Sequence, residues 1–206
     1  MRRVAGLVLA AGSSTRMGAG RNKLLEEVQG APLIHRPVDA LLSAGVGEVF
    51  VVLGHEEEAV RACLRSHPVR LVRHARWAEG MAGSIACGIR AIERRTSAIE
   101  GVLVTLGDLP GLRAQHVRPL LEAFDSAPPG AICRPSHGGR PGHPVLFDRR
   151  YWRELAGLRG DEGARDLLGR HAESVQEVGV TSPAIFEDVD TVASLEAART
   201  RLRGED

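Results

Sequence analysis

Two kinds of apolar spacing alternate along the first two thirds of the chain. Short, continuous runs rich in Leu and β-branched residues occur at Val4 to Leu9, Glu48 to Leu53, Val69 to Val72 and Val102 to Leu106, set off by Gly or Pro. Runs of that length and composition predict strands buried on both faces. Between them, Leu33, Ile34, Val38, Leu41 and Leu42 recur at helical spacing up to Gly45, a residue suited to the position just past a helix end. Ile85, Ile89 and Ile92 mark a second helical face. Strand and helix in alternation predict an α/β fold of three layers, Rossmann-like, with a mostly parallel sheet covered by helices on both faces. In such folds ligands sit beyond the carboxyl ends of the strands.

The texture changes after residue 126. APPG (Ala127 to Gly130) and RPSHGGRPGHP (Arg134 to Pro144) concentrate Gly, Pro and His, and read as loops framing short strands. Val145 to Phe147 and Val175 to Val178 predict strands; Asp161 to Arg170 and Thr191 to Arg203 predict helices. No repeat and no long linker interrupts the sequence, so one domain over residues 1–206 is the expectation.

Composition narrows the class. A 43% hydrophobic content over 206 residues is ample for a full core. Twenty-seven Lys and Arg against 26 Asp and Glu leave a formal charge of +1, which excludes the broad basic surface of a nucleic-acid protein. Cys63, Cys87 and Cys133 are odd in number and form no CxxC pair, a pattern of reduced thiols. The apolar run in MRRVAGLVLAAG is too short for a signal peptide, and no stretch approaches the ~20 apolar residues that cross a bilayer. A cytoplasmic protein is expected.

The most informative segment is LAAGSSTRMGAGRNKLL, Leu9 to Leu25, which follows the first strand. Small residues at Ala10, Ala11 and Gly12 let backbone N–H groups approach a bound nucleotide closely. Ser13, Ser14 and Thr15 add hydroxyl donors, and Arg16 and Lys23 add the fixed positive charge that triphosphate oxygens need. Two commoner nucleotide motifs do not fit. GxxxxGK[ST] fails because Gly18 is followed by Ala19, and GxGxxG is absent. The fourth strand ends in GDLP, placing Asp108 where a parallel sheet presents ligands. Carboxylate and phosphate oxygens are what Mg²⁺ prefers, so Asp108 is the candidate metal ligand. Asp188 and Asp190, in EDVDTVASLEAA, precede the last helix, where Asp190 or Thr191 is suited to cap it.

LAAGSSTRMG followed by NKLL resembles the signature of nucleotidyltransferases of the molybdenum-cofactor guanylyl- and cytidylyltransferase type. The stretch AGRN between Gly18 and Lys23 is one residue longer than that pattern, which leaves Arg21 as the nearby substitute for Lys23. The resemblance implies a nucleotide-diphospho-sugar transferase-like fold, with residues 1–126 handling nucleotide and metal and residues 127–206 the acceptor. It implies a nucleotide site at Leu9, Ala10, Ala11, Gly12, Ser13, Arg16, Lys23, Gly80 and Ser84, the last two from WAEGMAGS (Trp77 to Ser84). It also implies catalytic roles for Arg16, Lys23 and Asp108, with Asp190 joining Asp108 on Mg²⁺. GRPGHPVLF and LRGDEGARDLL look like later segments of the cytidylyltransferase branch, which would put Arg140, His143, Asp161 and Arg165 around the acceptor. The implied reaction moves CMP, or less favourably GMP, from an NTP to a phosphorylated pterin, for delivery to a molybdoenzyme or its chaperone. The alternatives are a sugar- or polyol-phosphate nucleotidyltransferase, a non-catalytic nucleotide sensor or chaperone, and a hydride-transferring dinucleotide enzyme.

Overall fold

The central strand is β1 (Val4–Ala10), whose sequence VAGLVLA has no polar side chain and is buried along almost its whole length. In this computed structural model, which describes residues 2–18, 20–95 and 98–204, the remaining elements follow in chain order. A small hairpin, β2 (Glu27–Val28) and β3 (Ala31–Pro32), leads to α1 (His35–Ser43), β4 (Glu48–Leu53), α2 (Glu57–Cys63), β5 (Arg70–Arg73), α3 (Met81–Arg95), β6 (Gly101–Leu106) and α4 (Ala114–Ser126). The later part supplies β7 (Ile132–His137), β8 (Arg140–Pro141), β9 (Val145–Asp148), α5 (Trp152–Gly157), α6 (Arg165–Arg170), β10 (Val175–Gly179) and α7 (Val192–Leu202).

Eight strands form one sheet in the order β10-β7-β9-β6-β1-β4-β5, with β8 paired to β7. β5, β4, β1 and β6 run parallel, β9 runs antiparallel to β6, and β7 and β10 return parallel to each other. The mostly parallel three-layer α/β architecture predicted from the alternation is therefore the observed one. Burial of strand side chains on both faces explains why the runs are continuous rather than alternating. On one face Val8, Val51 and Leu103 meet Val38 and Leu41 of α1 and Val117, Leu120 and Phe124 of α4. On the other, Leu7, Val52 and Val104 meet Ile85, Ile89 and Ile92 of α3 and Trp152 and Leu155 of α5. No helix of the described residues is long and apolar enough to cross a membrane.

The four early strands and the α1 and α3 faces lie where the spacing placed them, and Gly45 follows α1 with φ of +87°. Two later expectations change. The helix expected from Asp161 begins only at Arg165, because Gly160 (φ +84°) and Gly163 (φ +60°) adopt left-handed backbone that cannot continue a helix. The Pro-rich run expected as loop contains a six-residue strand, β7, through Arg134 and Pro135. Its ladder with β9 stops at Cys133, so on that side Pro135 forfeits no bond.

Candidate active site

Parallel pairing fixes the first half of the site. β1 and β6 are neighbours in register, with Leu9 opposite Leu106, so the loop after β1 and the GDLP turn after β6 emerge side by side. The Gly107 N–H donates to the Leu9 carbonyl at 2.9 Å and ties the two together. Within the loop, Met17 is buried with Val28, Leu33, Val189 and Leu195, anchoring a short turn over Thr15–Met17. Ser14 bends the chain there with φ of +54°, and its Oγ accepts a hydrogen bond from the Lys23 N–H at 3.2 Å. Those contacts return the chain so that Lys23 points back at the mouth of β1. Ala19, in the stretch with the extra residue, lies outside the described residues.

The second half comes from the far end of the sequence. The Val189 N–H donates to the Asp108 carbonyl at 3.0 Å, docking residues 187–190 on the end of β6. The α7 cap is built by Thr191, whose Oγ1 accepts from the Ser194 N–H at 3.1 Å while Ser194 Oγ accepts from the N–H groups of Asp190 and Thr191. Asp190 is not the capping side chain, and its carboxylate turns to the loop. There Lys23 Nζ lies 2.8 Å from Asp190 Oδ1 and 2.5 Å from Asp108 Oδ2, and Arg16 reaches Asp190 Oδ2 at 2.5 Å. Arg21 instead pairs with Glu26 at 2.8 Å, so of the two it is Lys23 that reaches the cluster, beside Arg16.

Electrostatics follow from depth. Burial pushes the Asp108 carboxyl above the ordinary carboxylate range, opposed by the Lys23 charge. Burial also works against charged Lys23, but the Asp108 and Asp190 carboxylates together outweigh it and raise its pKa. The more open Asp190 is lowered, first by its hydrogen bond from Lys23 and further by Arg16. Asp108 Oδ1 is buried and has no hydrogen-bond partner among the described residues. One carboxylate oxygen from each of Asp108, Asp188 and Asp190 lies within 4.8 Å of the others. Three hard oxygen donors gathered at one place are the donor set of Mg²⁺ or Mn²⁺.

These groups line one end of a cleft of about 510 Å³, whose walls include Leu9, Ala10, Ala11, Gly12, Ser13, Arg16, Lys23, Gly80 and Ser84. Every residue expected at the nucleotide is thus brought to one cavity. Trp77 is half-buried in its wall, 5.2 Å from the His55 ring, so it serves both packing and the cleft. At Gly80 a Cβ would fall on the Asp161 carboxylate and the Gly160 backbone, which explains a glycine there. Gly83 does not line this cleft; it faces His74 on the opposite side of the helix start.

A second cavity, about 760 Å³, shares Leu9, Met81, Leu106 and Asp161 with the first and opens over β6 and β9. His143, Asp161 and Arg165, three of the four residues that the resemblance put around the acceptor, line it. Arg140 does not: it stands at the turn end of the β7–β8 pairing, where its guanidinium stacks on the Phe186 ring at 4.2 Å. Arg134, which the sequence reading passed over, lines the cavity from β7. Both Arg134 Nε and His143 Nδ1 are buried without a hydrogen-bond partner among the described residues. Burial, reinforced by the Arg134 charge, pushes the His143 pKa down to about 4 and keeps the ring neutral at pH 7. Burial also lowers Arg134. A half-buried guanidinium near a neutral imidazole is a setting for an anionic or strongly hydrogen-bonding ligand.

Residues 6–175 match the MobA-like NTP transferase domain. Nicotine blue oxidoreductase of Paenarthrobacter nicotinovorans is 32% identical over 200 residues, covering 93% of this chain and 94% of that protein. Rv0371c of Mycobacterium tuberculosis H37Rv superposes with a TM-score of 0.82 at 27% identity, over 97% of this chain and 98% of its own. A manganese complex of Rv0371c superposes with a TM-score of 0.76 at 25% identity, over 97% of this chain and 98% of its own.

Proposed function

The chain belongs to the MobA-like NTP transferase family, and from that premise we propose that this nucleotidyltransferase moves CMP from CTP to a phosphorylated pterin of the molybdenum-cofactor type, releasing pyrophosphate. The observation that carries the reading is the cluster of Asp108, Asp188 and Asp190 carboxylates beside Arg16 and Lys23, with Asp108 Oδ1 buried and unpartnered among the described residues. Asp108, Asp188 and Asp190 would hold Mg²⁺, which supplies charge neutralisation on the triphosphate when bound. The loop N–H groups from Ala10 to Ser13 bind phosphate oxygens. Arg16 and Lys23 exchange their Asp190 contacts for the triphosphate and hold the α-phosphorus in line with the incoming acceptor.

The nucleophile is a phosphate oxygen of the acceptor. With a second pKa of about 6, a phosphate monoester is largely ionised at neutral pH and needs no general base. Neutral His143 suits this chemistry: it donates or accepts a hydrogen bond at the acceptor without taking a proton from it. Arg134, with a free Nε, pairs with an acceptor oxygen, and Val145, Phe147 and Leu168 give the same cavity an apolar wall for a flat ring system. That combination supports a pterin over a sugar phosphate, whose hydroxyls call for more polar partners. A cytoplasmic setting, with handover to a molybdoenzyme or its chaperone, belongs to the same reading. The test is pyrophosphate release with CTP, GTP, ATP and UTP, each with Mg²⁺, with and without a molybdopterin-type acceptor. Release with CTP only when the pterin is present is the expected result; release with a sugar phosphate instead would overturn the acceptor assignment.

The whole-length likeness to nicotine blue oxidoreductase favours a second reading, in which the two joined cavities hold a reduced nicotinamide nucleotide and a planar acceptor. Consumption of NADH or NADPH with an aromatic acceptor, without pyrophosphate release from any NTP, would move the assignment to that reaction.

A further inference from the structure

A third cavity, about 480 Å³, lies on the other side of the α3 start from the catalytic cleft, and neither the nucleotide nor the acceptor chemistry uses it. Its walls come from three separate pieces of chain: the end of β5 with the turn that follows, one face of α3, and the turn of residues 157–160. Each piece brings arginine. Arg73 and Arg76 come from the first, Arg90 from the second and Arg159 from the third, against Glu79 as the acidic residue of the lining. Arg73 pairs with Glu57 at 3.1 Å and Arg76 with Glu79 at 3.7 Å, whereas Arg90 and Arg159 form no ion pair among the described residues, Arg90 donating from one guanidinium nitrogen to the Ala156 carbonyl.

The floor is polar and unfinished. His74 is only 8% exposed, and its Nε2 is buried without a hydrogen-bond partner among the described residues. That nitrogen would stand 3.0 Å from a Cβ placed on Gly83, which also lines the cavity. The glycine of the WAEGMAGS segment that the catalytic cleft does not use therefore keeps open the approach to His74 Nε2. An orphaned imidazole nitrogen costs about 1–3 kcal/mol when left unmet. An acceptor oxygen among the arginines would meet it.

We infer that this cavity is a second anion site, built for a small phosphate-bearing ligand that Arg76, Arg90 and Arg159 pair with and that His74 hydrogen-bonds from below. Its size and its buried floor favour a phosphate or diphosphate group over a segment of acidic protein, whose carboxylates would stop at the exposed arginines. The site also adjoins the seam of the catalytic cleft. The Ala82 N–H donates to the Gly160 carbonyl at 3.0 Å, and the next residue, Asp161, lines both the nucleotide and the acceptor cavities. An anion bridging Arg159 to Arg76 braces that seam.

The experiment is calorimetric titration of the full chain with inorganic phosphate, pyrophosphate and a nucleoside monophosphate, in EDTA so that metal-dependent binding at Asp108 is silent. Wild-type protein and Arg16→Ala should bind pyrophosphate with affinities within about twofold of each other. Arg76→Ser/Arg159→Ser should lose tenfold or more, since a charge-assisted hydrogen bond carries about 1.5–3 kcal/mol and ~1.4 kcal/mol is tenfold. Gly83→Ala, whose Cβ would stand 3.0 Å from His74 Nε2 and block it, should lose affinity as well. The three ligands separate a bare phosphate site from one that also reads a nucleoside. Binding that disappears in Arg16→Ala but survives in the double arginine variant would overturn the proposal, as would an acidic peptide competing better than any phosphate. Neither outcome touches the transferase assignment, which rests on the other cleft.

Discussion

Replacing Lys23 by Met keeps the aliphatic stem and removes the charge between Asp108 and Asp190, which lie 2.5 and 2.8 Å from its Nζ. Removing one partner of a buried pair costs about 3–5 kcal/mol when the other charge stays buried. Here the cost is smaller, because burial already favours protonated Asp108 and loss of Lys23 raises its pKa further. A destabilisation of about 2–3 kcal/mol is expected, and for a chain of this size ~1 kcal/mol moves Tm by about 2–4 °C. Thermal unfolding at pH 7.5 should therefore fall by roughly 4–12 °C. The pH dependence carries the sign. In Lys23→Met the folded Asp108 pKa lies above its unfolded value, so its stability contribution is present at low pH and lost as pH rises through the folded pKa. The gap from wild type should narrow as pH falls from 7.5 towards 5. Added Mg²⁺ should raise Tm more in Lys23→Met than in wild type, since the cation takes the place of the lost charge. An unchanged Tm, or a gap independent of both pH and Mg²⁺, would refute the coupling between Lys23 and the carboxylate cluster.

Two further outcomes concern the acceptor cavity. His143 titrates at about 4 when folded against an ordinary 6.5. Its stability contribution is complete above pH 6.5 and lost as pH falls through 4, and at ~1.4 kcal/mol per pH unit the ceiling is ~3 kcal/mol. Urea midpoints measured at pH 7.5 and 4.5 should drop less in His143→Phe than in wild type; equal drops would show that His143 is not buried as described. Arg134→Met should raise the acceptor KM by about 10–100-fold, the equivalent of a lost charge-assisted hydrogen bond, while leaving the NTP KM within about twofold. A matching rise in the NTP KM would place Arg134 on the wrong substrate.

What the sequence made legible was what depends on neighbours in the chain. The loop from Leu9 to Lys23 carries its anion chemistry in consecutive residues, and GDLP follows a strand whose apolar run is unmistakable, so the loop and the turn that flank the candidate cleft were both legible in the sequence. Asp188 and Arg134 were harder, for tertiary reasons. Asp188 joins the cluster only because the Val189 N–H docks on the Asp108 carbonyl, a contact between distant segments. Arg134 sits in a strand hidden by the Pro and Gly around it, and the alternation of Cys133, Arg134 and Pro135 is too short to show which face it takes. Arg140 is the converse case: it stands in the same Gly-rich motif as His143, yet the β8 turn carries it onto Phe186. The Asp190 ambiguity between cap and ligand was also local in origin, since Thr191 and Asp190 are both good caps, and only the Ser194 hydrogen bonds decide between them.

The most direct test of the central claim is CTP-dependent pyrophosphate release with Mg²⁺ and a molybdopterin-type acceptor, comparing wild type with Asp108→Asn. Asn keeps the size of the side chain and removes its charge. Turnover by wild type and a loss of about 100-fold or more in Asp108→Asn, with an unchanged circular dichroism spectrum, is the predicted result, in line with removal of a group that stabilises the transition state electrostatically. Equal rates for the two proteins would contradict the account.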